Sequence, residues 1–309
     1  MTETMPKQRG WTPEVYARIC EIIEQTPADD RLAVFDFDNT CVHGDIGELF
    51  GHYLVETMGY RYDLEAFWDL IHPEDGRDRL RHLVDQTLEL DPQQRQDSQA
   101  YREYLAEMAG LYGRRLQRVG KRDCYQWAVR LHVGLSEEQM NRWSAEAIER
   151  ELKKEQCVDE FVTSRSRRVS VQRGVRPFPQ IRELIDVLHN HDWDVWIVSA
   201  SNEWTIRQFA PRFGVDPSRV LGNRVAVEDG VLTAELHEPA LYREGKVAAI
   251  QREIGKCPAM VFGDAVTDYE MLCEASRLAV VIDRGDEMLT REGRKRGWAF
   301  QPQAKMQVE

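Results

Sequence analysis

The stretch Leu32-Ala33-Val34-Phe35-Asp36-Phe37-Asp38-Asn39-Thr40 decides the fold of this chain. Four apolar residues in a row, preceded by charge and followed by Asp, Asn and Thr, describe a short strand that is buried on both faces and ends where the polar residues begin. Strands of that kind belong to parallel sheets, whose ligands bind outside the carboxyl ends of the strands. Asp36 and Asp38 stand at that end. Two carboxylates one residue apart are costly to bury without a cation or a shared proton, so the first expectation is a metal-assisted site. The same residues also suit a turn with a helix cap, since Asp and Asn cap helices commonly. On this stretch alone the two readings stand level.

Upstream, Thr12-Pro13-Glu14 opens a helix over 12–26 with Pro at its first position. Tyr16, Ile19, Cys20 and Ile23 share one face, which is expected to pack beside the first strand. Downstream of Thr40 the pattern is helical over 45–56, 63–72, 77–90, 98–116, 122–131 and 136–156, with few β-branched runs between. A basic, partly β-branched stretch at 165–176 reads as an extended connection. From Pro179 onward strands and helices alternate. Ile181, Leu184, Ile185 and Leu188 make a helix face, and Val195-Trp196-Ile197-Val198 makes a buried strand that stops at Ser199. A helix at 202–213 follows, then two strands within 219–235 turning at Asp229-Gly230, then a helix at 245–254. Ala259-Met260-Val261-Phe262 is a strand closed by Gly263-Asp264, and 278–282 is expected to be the last core strand. Strands and helices alternating at this length imply a parallel sheet with helices on both faces. The strand at 32–35 belongs to that sheet, which makes the helical block after it an insertion.

Composition narrows the function. A chain of 309 residues, 42% of them hydrophobic, is large enough for a real core. No apolar run approaches a membrane span, and the polar start from Met1 to Arg9 lacks the apolar segment of a signal peptide, so a cytoplasmic protein is expected. The six cysteines (Cys20, Cys41, Cys124, Cys157, Cys257, Cys273) are scattered, without the short paired spacing of a zinc or redox motif. A net charge of −12 argues against nucleic acid as a partner, because a phosphate backbone needs a basic surface. A small phosphate ligand needs only a local positive pocket. Nothing in the sequence speaks to oligomeric state.

Further polar residues fall at the same sheet edge as Asp36. Ser199 follows Val198, Asp264 follows Gly263, Asp268 comes about one helical turn after Asp264, and Lys246 sits just inside a helix behind Gly245. Each alone has an ordinary explanation as a cap, a first-turn partner or a solvated lysine. Together with Asp36 and Asp38 they describe a place for a divalent cation, a phosphoryl group and a lysine to hold it.

The set Asp36-Phe37-Asp38-Asn39-Thr40, Ser199, Lys246 and Gly263-Asp264-Ala265-Val266-Thr267-Asp268 resembles, in order, the four motifs of the haloacid dehalogenase superfamily. The likeness covers roughly 30–45 and 175–285. The insertion is similar to the helical cap of the phosphoserine-phosphatase-type branch. More narrowly, Cys124-Tyr125-Gln126-Trp127, Val198-Ser199-Ala200-Ser201 and the early helix at Trp11 resemble bacterial phosphorylcholine phosphatases. The resemblance implies an α/β fold, a Rossmann-like parallel sheet core of residues 1–45 and 174–309 with an inserted all-helical cap domain at 46–173.

It also implies chemistry. Asp36 would be the nucleophile that takes the phosphoryl group as an aspartyl-phosphate, splitting one hard displacement into two easier ones. Asp38 would protonate the leaving alkoxide and later accept a proton from water. Mg²⁺ would be held by Asp36, the Asp38 carbonyl and Asp264. Ser199, with Ala200, and Lys246 would hold the transferring oxygens, with Thr40 and Thr267 in support and Asp268 orienting Lys246 or a water on the metal. The expected partner is a small phosphomonoester. A dehalogenase has no alkoxide to protonate and lacks the second aspartate, so Asp38 favours a phosphatase. A mutase, or an inactive binding module on the same scaffold, are the alternatives.

Asp45 falls where phosphoserine phosphatases carry a carboxylate near the substrate amine, which implies a cationic head group; as a residue it serves equally as an N-cap. Those relatives carry a cap arginine for the substrate carboxylate, whereas the corresponding position here is Ala128, with Arg130 close by. Tyr125 and Trp127 lie nearby, and aromatic faces attract quaternary ammonium groups. Phosphocholine or phosphoethanolamine is therefore the expected substrate, with phosphoserine and sugar phosphates as alternatives. Trp127 is the expected binding residue of the cap, although such aromatics also serve as cap core.

Overall fold

The computed structural model describes residues 5–163 and 165–308. It divides into two units: Met1–Ile46, Val175–Asn223 and Glu238–Glu309 form the first, Gly47–Gly174 and Arg224–His237 the second. In chain order the strands are β1 (Leu32–Phe35), β2 (Val42–His43), β3 (Cys157–Val162), β4 (Arg168–Arg173), β5 (Arg176–Pro177), β6 (Asp194–Asn202), β7 (Val220–Asn223), β8 (Val225–Glu228), β9 (Val231–Leu236), β10 (Met260–Gly263), β11 (Leu278–Asp283) and β12 (Ala299–Pro302).

The first unit is built on a six-stranded sheet in the order β12-β11-β10-β1-β6-β7, parallel throughout. β1 lies near the middle, with Phe35 registered against Phe262 on one side and Ile197 on the other. All four of its side chains are buried, and the Phe35 and Phe262 rings stack at 4.4 Å. Burying a Val or Phe side chain completely contributes about 1.5–3 kcal/mol, which anchors a strand of only four residues. Residues on one side of the sheet, among them Val34, Val198, Val261, Val281 and Ile250, close one continuous core.

The expected Rossmann-like parallel sheet is present, with some corrections. A further edge strand, β12, lies beyond β11, so 278–282 is not the last core strand. The helix Pro13–Gln25, capped by the Thr12 hydroxyl, packs on β11 and β12 instead of beside β1. The stretch 219–235 is not one hairpin: β7 joins the core sheet, and only β8 and β9 pair as a hairpin. Its turn is Asp229-Gly230, with φ of 50° and 75°, the left-handed pair that a two-residue turn requires.

The second unit carries the helices Gly47 onward to Glu56, Glu65–Asp69, Arg77–Leu88, Gln99–Arg130 and Glu137–Lys153. Gln99–Arg130 is two helical stretches meeting at Gly120, whose φ of 80° and ψ of 174° are not helical. The insertion is not all-helical. β3 and β4 pair antiparallel over six residues, where an extended connection was expected, and the chain turns through Ser166 at φ 55°. On β4, half-buried Val169 and buried Val171 alternate with exposed Ser170 and Gln172, and on β3 Asp159 and Phe161 are half-buried while Val158 and Val162 are exposed, the two-residue period of a hairpin that buries one face. The β8–β9 hairpin also belongs to this unit. Gly134 donates to the Leu232 carbonyl, Leu232 to the Leu135 carbonyl, and the Arg130 guanidinium to the Ala234 carbonyl. No described helix is long and apolar enough to cross a membrane.

Candidate active site

The backbone N–H of Asp36 donates to the Phe262 carbonyl at 2.9 Å, which carries the β1–β10 ladder one residue past the strand and fixes Asp36 at the sheet edge. Beyond it the chain turns sharply. Asn39 adopts φ 58°, a left-handed conformation that Asn tolerates, and its side chain accepts from the Gly44 N–H.

Lys246 comes to the same point from the helix Glu244–Glu253. Its ammonium is fully buried and lies 2.6 Å from both Asp36 Oδ1 and Asp268 Oδ1. Gly245 is required before it: a Cβ there would stand 1.7 Å from the Ala240 carbonyl oxygen. The second oxygen of Asp268 accepts from the N–H groups of Asp264 (3.2 Å) and Ala265 (3.1 Å). Asp268 is thus bonded through both oxygens and holds Lys246 against Asp36. A Cβ on Gly263 would meet Asp268 Cβ at 2.7 Å, so the glycine is what lets that side chain lie under the strand end.

Asp264, just past β10, completes the cluster. Asp36, Asp264 and Asp268 each offer a carboxylate oxygen within 4.8 Å of the others, and all three are buried. The Arg284 guanidinium, just past β11, reaches Asp264 Oδ2 at 2.8 Å.

Asp38 faces a different set of partners. Its Oδ1 accepts from the Ile46 N–H at 2.6 Å, and its Oδ2 from the Ser201 hydroxyl at 2.6 Å and the Ser199 hydroxyl at 3.4 Å. The β6–β7 register shifts between Val198 and Asn202, and that irregularity falls where the two serines sit. Ala200 gives its carbonyl to the Asn223 amide at 2.6 Å.

The electrostatics divide these groups by sign. Burial and the Asp268 charge push the Asp36 carboxyl up to about 7, against the pull of Lys246. Burial, then the charges of Asp45 and Asp36, push Asp38 well above the carboxylate range. Burial, Asp36 and Asp268 do the same to Asp264, with Arg284 opposing. Burial works against the charge of Lys246, but Asp268 and Asp36 outweigh it and keep the ammonium protonated. Asp36, Asp264 and Asp268 therefore share two cations, Lys246 and Arg284. The donor set is hard oxygen only, as Mg²⁺ prefers, and its excess negative charge fits a divalent cation between Asp36 and Asp264.

Of the residues expected at the site, Asp36, Asp38, Ser199, Lys246, Asp264 and Asp268 are joined by these contacts. Asp45 is tied to them through its charge on Asp38. Thr267 is buried and gives its carbonyl to the Arg243 N–H, and the Thr40 hydroxyl is buried with no hydrogen-bond partner among the described residues. Trp127 is a correction. It is 3% exposed, its indole N–H donates to the Leu70 carbonyl at 2.7 Å, and the Arg115 guanidinium already lies over its ring at 5.5 Å. That ring is core of the second unit, with no face left for a ligand. Ser201 and Arg284 had no role assigned from the sequence. Arg284 was findable, since it follows the strand β11 at the edge already singled out.

The model of the haloacid dehalogenase-like hydrolases matches residues 94–272, more than half of the chain, and takes in Ser199, Lys246, Asp264 and Asp268. The chain belongs to that family. No curated protein matches the sequence. Among solved structures, a conserved functionally unknown protein from Anaerococcus prevotii DSM 20548 is 24% identical, with 96% of this chain and 94% of that one covered at a TM-score of 0.83. A protein with unknown function from Bordetella pertussis Tohama I is 17% identical, with 88% and 98% covered at 0.57. Both show the fold alone. A substrate-bound phosphoserine phosphatase is 17% identical over 82% of this chain and 85% of that one at 0.40, too distant to carry an argument.

Proposed function

We propose that this haloacid dehalogenase-like hydrolase is a Mg²⁺-dependent phosphomonoesterase that works through an aspartyl-phosphate on Asp36. The observation that carries this reading is the pairing of two differently held aspartates at one strand end. Asp36 is locked by Lys246 beside Asp264, while Asp38 is held by two serine hydroxyls and the Ile46 N–H. A nucleophile must be fixed and able to ionise; Lys246 holds Asp36 in place and pulls its carboxyl down, against the upward push of burial and Asp268. A general acid needs its proton held more tightly than an ordinary carboxyl holds it, and burial with the charges of Asp45 and Asp36 shifts Asp38 in that direction.

An Asp36 oxygen attacks phosphorus as the bond to the leaving oxygen breaks, and Asp38 donates its proton to that oxygen. Asp38 then takes a proton from water as the water oxygen attacks phosphorus, the Asp36–phosphorus bond breaks and phosphate leaves. Lys246 and the Ser199 hydroxyl are the donors for the phosphoryl oxygens. Asp36, Asp264 and the Asp38 carbonyl would hold Mg²⁺, which would supply positive charge that offsets repulsion between phosphate and carboxylates.

The substrate we infer is a small phosphomonoester with a cationic leaving group, phosphocholine or phosphoethanolamine. Asp45 supports this, because its negative charge bears on Asp38, the group that meets the leaving oxygen. Six free cysteines fit a reducing cytoplasm. Phosphate release with Mg²⁺ from phosphocholine, phosphoethanolamine, phosphoserine and sugar phosphates tests the assignment. Turnover is expected for the cationic esters first; preference for phosphoserine would refute the inferred substrate while keeping an amine near Asp45, preference for a sugar phosphate would refute the role of Asp45, and no release from any would refute the phosphatase.

A further inference from the structure

Arg284 is a cation that none of the motif residues accounts for. It reaches Asp264 from the end of β11, the strand beside β10, and its side chain is 45% exposed, whereas Lys246 is fully buried. Lys246 is committed to Asp36 and Asp268, so the charge opposite the Asp264 carboxylate comes from Arg284. Asp264 is 6% exposed and shares its surroundings with two other carboxylates. A carboxylate so placed needs a positive partner at all times. A divalent cation taken by Asp264 would place two like charges on one carboxyl group. Their mutual repulsion favours withdrawal of one, and of the two protein cations only the half-exposed one has solvent to withdraw into.

We propose that Arg284 is a built-in competitor for the divalent cation at Asp264: it neutralises that carboxylate in the metal-free protein and is displaced when the cation binds. This rests on the reading of Asp264 as a metal ligand. Asp264 is therefore paired while the cation is away, at the cost of a weaker hold on the cation. The rival role is orientation, in which Arg284 steadies Asp264 in its ligating position. The two roles predict opposite signs for the loss of Arg284.

Titration calorimetry of the full chain with Mg²⁺ alone separates them and needs no substrate. Arg284→Met and Arg284→Gln are expected to bind Mg²⁺ about fivefold more tightly than the unaltered protein, the size that a half-exposed ion pair supports, while Arg284→Lys stays near it. Equal or weaker binding in both neutral variants, with unchanged circular dichroism, would overturn the proposal and leave the metal reading intact. Absence of Mg²⁺ binding in the unaltered protein, or its survival in Asp264→Asn, would overturn the metal reading and this inference with it. Two neutral variants guard against one that misfolds.

Discussion

Buried charge is handled in opposite ways in the two units. In the second, Arg173 is 2% exposed on its side chain and meets Glu151 at 2.5 Å, Glu56 at 2.5 Å and Asp159 at 3.1 Å, and Arg150 also pairs with Glu56. Burial alone would raise the Glu151 carboxyl, yet the bonds from Arg173 and the Gly174 N–H hold it below its ordinary range. Asp75 behaves likewise: burial raises it, and Arg118 and Arg115 pull it lower overall. In the first unit the carboxyls of Asp36, Asp38 and Asp264 are all pushed upward. A network that serves the fold satisfies its charges; a site that serves chemistry leaves negative charge in excess, to be met by a ligand. The sign of the shift distinguishes the two where burial alone does not.

The comparison breaks most visibly at Asp36. Asp36→Asn should cut turnover by about 10⁴-fold or more, because it removes the nucleophile. The melting temperature of the metal-free protein should not fall, since Lys246 keeps Asp268 and one repelling charge is gone. Phosphate-release kinetics beside a melting curve check both halves, and a large loss of stability would place Asp36 with the structural carboxylates.

Arg173→Met should do the reverse. It takes the buried guanidinium from Glu151, Glu56 and Asp159 and leaves only the more exposed Arg150 beside the two glutamates, and breaking a buried network in this way costs about 3–5 kcal/mol. Urea unfolding should show that loss, while kcat of the folded fraction changes little.

Acid and base should also act on different units. The raised Asp36 carboxyl stabilises the native state fully below about 4, its unfolded value, and that contribution is lost as pH rises through about 7. His132 has the opposite sign. Burial holds it down to about 3, so its contribution is present above about 6.5 and is lost as pH falls toward 3. Without Mg²⁺, hydrogen exchange should therefore show the β1 region loosening from pH 5 to pH 8 and the segment around His132 loosening from pH 7 to pH 4, each by a few kcal/mol or less. Mg²⁺ should flatten the first trend and leave the second. Parallel behaviour in both units would remove the distinction.

The site was more legible in the sequence than the second unit, for a physical reason. A short apolar run ending in Asp36 or Asp264 is a strong local pattern, because a strand buried on both faces tolerates nothing else. The β3–β4 hairpin is a half-exposed pair with Val158 and Val162 on its exposed face and Val169 and Val171 on the other, so no single apolar stripe marks it, and it was missed as strand. The β8–β9 hairpin showed its turn at Asp229-Gly230, but its membership depends on hydrogen bonds to Gly134 and Leu135, about a hundred residues away. Trp127 misled because an aromatic in an insertion reads alike whether it lines a site or fills a core. Only the Leu70 carbonyl and the Arg115 guanidinium settle which.

The central claim is that the phosphoryl group passes through Asp36, and borohydride trapping tests it most directly. An acyl phosphate is reduced to the alcohol, so protein quenched with borohydride during turnover with Mg²⁺ and its substrate should carry homoserine at position 36, read by peptide mass spectrometry. Homoserine at another aspartate, or continued turnover with no reduced residue at 36, would contradict the account.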